Sequence, residues 1–171
     1  MHMSQRPIPA LPPLVTNGVV QALVAAELLA LATLRMWAAP HRRPGQAHAD
    51  WREGPRAARL EDDAADAFDV LMRLVVASAH RTLDVRCPSC PALGEDEVAF
   101  LEMTRAAQDH PAAADAGLAA WLPPAAVRAA RPFLAQFAAA MAARELWLPA
   151  RLPRAGAGSA MAVAAHGRCV H

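Results

Sequence analysis

Residues 18–39 read GVVQALVAAELLALATLRMWAA, and the fold class turns on what this run is. Its length and apolarity suit a bilayer crossing, which takes about 20 residues. Glu27 and Gln21 fall inside it, however, and Arg35 lies near its end. A central acid costs at least ~2.5 kcal/mol on insertion scales, and alanine offsets little of that. Val20, Leu23, Val24, Leu28, Leu31 and Leu34 recur every three or four residues, as on a helix face turned to a protein core. Gln21 and Arg35 lie off that stripe, while Leu29 and the alanines widen it. The run therefore reads as the central helix of a bundle, capped by Thr16 or Asn17 and ending near Trp37. Glu27 is expected at its solvent edge, with pairing to Arg73 or Arg131, or a place on a cavity wall, as alternatives.

Outward from that helix, proline and glycine divide the chain. Residues 40–59 lose the periodicity and read as a long connection. A second helix begins near Leu60, acids first (Glu61, Asp62, Asp63, Asp66, Asp69) and His80 and Arg81 at its end, an order that complements the helix dipole. Phe68, Leu71, Met72, Val75 and Val76 form its apolar face. Residues 82–94 hold two prolines and a glycine and cannot continue it. A third helix starts at Glu95 or Asp96, turns Val98, Phe100 and Leu101 inward and stops before Pro111. A short fourth helix reaches Trp121, and Pro124 opens a fifth that runs towards Glu145. Pro132 kinks that last helix or marks its true start.

Residues 146–152 read as a short extended segment, and no two-residue alternation suggests a sheet. The expectation is an all-α, single-domain bundle of about five helices. It has a long loop after the first helix and a Cys-x-x-Cys loop after the second. Residues 1–16 form an extended arm, 17–152 the helical domain and 153–171 a disordered tail. Trp37, Trp121, Trp147 and the phenylalanines fill the larger gaps between alanine-rich helices.

Composition removes several chemistries from the 171-residue chain. All 17 basic residues are arginine, so there is no lysine for a Schiff base, a phosphate-binding G-x-x-x-x-G-K-[ST] loop or a kinase strand. About a quarter of the residues are alanine and 15 are proline, which with arginine point to GC-rich codons of a bacterial kind. A net charge of +1 sets up no field for nucleic acid or membrane. Arg42, Arg43, Arg52, Arg56 and Arg59, with His41, His48 and Trp51, are a local basic surplus. Asp50 and Glu53 dilute it, so it reads as a polar linker with Trp51 tucked onto the bundle. Three cysteines are too few for a secreted disulfide framework, and the first 15 residues lack the order of a signal peptide, so the cytoplasm is expected.

No catalytic set emerges. Ser78, Ser89 and Ser159 lack a G-x-S-x-G setting, and His80 and His110 read as helix-end caps. The acids 61–69 lack the glycine-centred spacing of a calcium loop and read as a solvated helix start.

The most informative short segment is Arg86-Cys87-Pro88-Ser89-Cys90-Pro91. Two cysteines separated by two residues can turn both sulfurs to one centre, and the proline between them holds the turn. This Cys-Pro-x-Cys-Pro form resembles one knuckle of a zinc ribbon, over five residues. The resemblance implies half of a tetrahedral zinc site. Further ligands would come from His80, from Asp84, or from Cys169 with His166 or His171. The pair also suits a thiol–disulfide couple, although Glu95, Asp96 and Glu97 would raise a nearby thiol pKa and the helix starts late. Two inert thiols in a rigid loop are the third reading. The functional expectation is a small non-enzymatic module that meets a protein partner or itself, with zinc at Cys87 and Cys90. The alternatives are a redox protein and a bundle binding an apolar ligand.

Overall fold

The computed structural model describes residues 20–150. A single 3-10 turn spans Val20–Ala22, the chain straightens at Val24, and α1 runs over Ala25–Arg42. Then follow α2 (Glu53–Ala57), α3 (Asp62–Ser78), α4 (Glu95–Asp109), a 3-10 turn at Pro111–Ala114, α5 (Asp115–Trp121) and α6 (Pro124–Ala143). No strand occurs among the described residues, and the chain is an all-α bundle.

Glutamates decide where two of these helices begin. Glu27, third residue of α1, accepts the Val24 N–H at 3.0 Å; Glu97, third residue of α4, accepts the Gly94 N–H at 2.8 Å. Each satisfies a backbone donor that a helix start leaves without an intrahelical partner. This corrects the reading of Glu27, which is 2% exposed and not at a solvent edge. Its expected arginines are engaged elsewhere, Arg73 with Asp69 and Arg131 with Asp115. The cap positions 16 and 17 lie outside the described residues, as do the arm 1–16 and the tail 153–171.

The buried face of α1 is also rotated from the expected stripe. Ala26, Ala30, Leu31, Leu34, Trp37 and Ala38 are buried, whereas Val24 and Leu28 are exposed. Alanine lets the neighbouring helices approach closely, so the small residues face inward and some large ones do not. At its other end α1 continues through Pro40, whose ring lies on the exposed side of the last turn.

The core forms where α3 and α4 pack on α6. Phe68, Phe100 and Phe137 meet there at centroid separations of 5.1–6.5 Å. Trp51 lies 5.5 Å from Phe68, so this tryptophan does seat the long connection onto the bundle. That connection contains α2, a single turn not evident in the sequence, closed by Arg59 at φ 58°. Pro124 opens α6, and Pro132 lies within the helix without ending it. Trp37 and Trp121 are buried as expected, but Trp147 is 55% exposed. Beyond α6 the Gln108 side chain donates to Leu146 O and accepts the Leu148 N–H, fastening the segment that follows.

No helix among the described residues is long and apolar enough to cross a membrane.

Candidate functional site

Arg35, off the apolar stripe in the sequence, is 2% exposed and pairs with Glu97, which is fully buried. Its Nε donates to Glu97 Oε1 at 2.7 Å and its Nη2 to Oε2 at 2.8 Å. The same guanidinium donates from Nη1 to Cys90 O at 2.6 Å and from Nη2 to Ala92 O at 2.7 Å. Glu97 also accepts the Arg86 N–H at 2.7 Å. One buried ion pair thus grips the Cys-x-x-Cys segment on both flanks. Such a pair costs desolvation, so its return lies in fixing one geometry rather than in net stability.

A second carboxylate holds the start of the segment. Asp96 accepts two bonds from Arg81, both at 2.7 Å, one from the Asp84 N–H at 2.6 Å and one from Trp121 Nε1 at 3.0 Å. The Arg81 bonds are the largest reason its carboxyl sits below the usual range, against the opposing effect of burial. Gly94 permits this closeness, because a Cβ there would stand 2.5 Å from Asp84 O.

Between these anchors, Cys87-Pro88-Ser89-Cys90 forms a β-turn closed by the Cys90 N–H donating to Cys87 O at 3.0 Å. Proline at the second position presets the turn. Both thiols are free and half-buried. The Ser89 hydroxyl, 3.7 Å from Cys87 Sγ, holds that thiol below the usual range; the turned backbone amides and the Arg42 charge add to it, against burial. The expectation that the neighbouring acids would raise this thiol is thereby corrected. Asp96 and Glu97 point into their own arginines and backbone donors and not at the sulfur.

Among the described residues no third His, Cys, Asp or Glu joins the pair to make a metal-binding group. His80 is exposed and does not join it; its backbone N–H donates to Trp121 O at 2.9 Å. It is not a helix cap either, since α3 ends at Ser78. His110 is the C-cap of α4, its backbone N–H donating to Ala106 O at 2.9 Å, and its ring accepts the Ala112 N–H to open the next turn. His166, Cys169 and His171 lie outside the described residues. The acids of α3 disperse into ion pairs, Asp66 with Arg52 and Asp69 with Arg73. Of the connection's arginines, Arg56 pairs with Asp50 and Asp62.

Beside the turn lies a cleft of about 720 Å³ between the ends of α1 and α3 and the segment 81–85. Trp37, Ala38, Met72, Val75 and Ala79 give it an apolar lining. Trp37 is fixed there by its Nε1 donating to Asp69 Oδ1 at 2.7 Å and by stacking on His41 at 4.4 Å. Arg42, Arg81 and Asp84 stand around it. Asp96 neutralises Arg81, and Arg86 neutralises Asp84 at 2.8 Å. Arg42 donates to Val85 O and has no carboxylate partner among the described residues. Val76, expected on the inward face of its helix, lines the cleft instead and is 63% exposed.

Sequence reasoning named Arg35, Glu97 and Arg42 but did not bring them together at the Cys turn or the cleft. An arginine alone in an apolar helix and a glutamate three residues into another were the available signals. No protein family, curated protein or solved structure matches this chain.

Proposed function

We propose that this chain is a non-enzymatic recognition module whose cleft takes an amphipathic, acidic segment of a partner protein. The observation that carries the reading is the pairing of an apolar floor with a guanidinium at its edge, Arg42, that has no carboxylate partner among the described residues. A volume of about 720 Å³ falls within the roughly 300–1,000 Å³ typical of ligand sites. Apolar anchors of a partner helix or strand would fill the floor between Trp37 and Val75, and a carboxylate would meet Arg42. Val76 extends the apolar surface past the cleft's edge, as suits a partner that continues over the rim more than a ligand swallowed whole.

Selection of displayed random peptides against the intact chain tests this. Enriched sequences should combine spaced apolar residues with at least one acid. Val76→Asp should abolish their binding, and Arg42→Gln, which keeps a donor for Val85 O, should weaken it about tenfold, as loss of one charge pair at a partly exposed site implies. Failure to enrich any peptide, or equal binding to the Val76→Asp chain, overturns the reading. Decanoate binding in the cleft with no enriched peptide also overturns it, in favour of an apolar small-molecule site.

A further inference from the structure

The Cys87–Cys90 turn stands apart from the cleft's apolar lining and has its own support. The two cysteines occupy the first and last positions of a closed β-turn, which keeps their Cα atoms within about 7 Å. A disulfide spans about 4.4–6.8 Å between the same atoms, so joining these sulfurs asks for side-chain rotation and little backbone movement. Pro88 and Pro91 stiffen the turn and the step after it. The Cys90 and Ala92 carbonyls are held by Arg35, and the Arg86 N–H by Glu97, so a buried ion pair fixes the base of the turn without using either sulfur. Pro88, Ser89, Pro91 and Ala92 are exposed, which leaves the thiols reachable from solvent. The Ser89 hydroxyl, then the Ser89 and Cys90 amides and the Arg42 charge, favour the thiolate of Cys87 against the effect of burial. The thiolate is the form that attacks a disulfide.

We propose that Cys87 and Cys90 form a thiol–disulfide exchange site for low-molecular-weight disulfides, with Cys87 attacking and Cys90 resolving. The Cys87 thiolate attacks one sulfur of the incoming disulfide; that molecule's S–S bond breaks and its first half leaves as a thiol. Cys90, giving its proton to the buffer, then attacks Cys87 Sγ in the mixed disulfide, and the second half leaves. One S–S bond has formed in the turn and one has broken in the substrate. Two electrons pass from the cysteine pair to the small disulfide, and the two thiol protons end, through the buffer, on the released thiols. Excess small thiol runs the same steps backwards. Arg35 is a positioning residue here, since it holds the carbonyl of Cys90 and touches no sulfur.

The test is equilibration of the reduced, full-length chain with graded ratios of reduced to oxidised glutathione, followed by acid quenching, alkylation and mass spectrometry of its peptides. The peptide holding both cysteines should lose both alkylation sites together, with the mass of two hydrogens, and regain them in excess reduced glutathione. In the Cys90→Ser chain, exchange should stop at a glutathione adduct on Cys87. In the Cys87→Ser chain the first step should lose its fast phase. Both changes fall in an exposed turn, and unchanged melting curves of the reduced variants would confirm that they fold. Thiols that stay open to alkylation at every ratio overturn the proposal, as does a bond from either cysteine to Cys169 in place of the Cys87–Cys90 link. Adduct formation as fast in the Cys87→Ser chain as in the wild type overturns it too. Because Val76→Asp leaves both thiols in place, this result is independent of peptide binding.

Discussion

Arg35 and Glu97 form the residue pair on which the geometry of the Cys turn depends. Removing one partner of a buried ion pair leaves the other charge uncompensated and costs about 3–5 kcal/mol. Arg35→Met should therefore lower the unfolding free energy by about that much in urea, and Arg35→Met/Glu97→Met should cost clearly less than the two single changes added. An additive double variant would show that the two do not act as a pair. Asp96 makes a separate prediction in pH. Its folded pKa lies below the unfolded value of about 3.9, so its contribution is present above that value and is lost as pH falls through the folded pKa. Between about pH 5 and pH 2, Asp96→Asn should flatten the loss of stability seen in the wild-type chain. An unchanged acid slope would contradict the assignment.

The helices themselves were largely legible as elements. Proline and glycine positions marked the start of α4 at Glu95, the break before Pro111 and the opening of α6 at Pro124 within a residue or two. Their faces were less so, because with so much alanine the large apolar residues no longer identify the inward side. Leu28 and Val76 illustrate this, both assigned inward by spacing and both exposed. Pro40 was read too strictly as the start of the connection, since α1 runs on to Arg42, whereas Pro132 lies inside α6 as expected. Pro132 is exposed on α6, so Pro132→Ala should restore a backbone donor without loss of packing and stabilise by about 1–3 kcal/mol, visible as a higher melting temperature. Gly117 is the opposite case. A Cβ there would run into the Met103 side chain, standing 2.9 Å from its sulfur. Gly117→Ala should destabilise by about 1–3 kcal/mol despite the better helix propensity. A rise in stability would mean that α4 and α5 sit less closely than described.

At the scale of the whole molecule, the cleft exists only because segments 37–42, 72–79 and 81–85 converge. No local pattern announces such a meeting, which is why the sequence singled out the cysteine pair and the basic stretch with Arg42 but not the pocket between them. Side chains of two helices hold this convergence, since α4 contributes Asp96 and Glu97 to the connecting segment and α1 contributes Arg35 and Arg42. The proposed role of this cleft is to bind partners. Its most direct test is backbone amide NMR of the isotopically labelled chain during titration with a peptide selected against it. Shifts concentrated at Trp37, Arg42, Met72, Val76 and residues 81–85 are predicted. Shifts centred elsewhere, on the exposed Trp147 or around Val24 and Leu28, would contradict it.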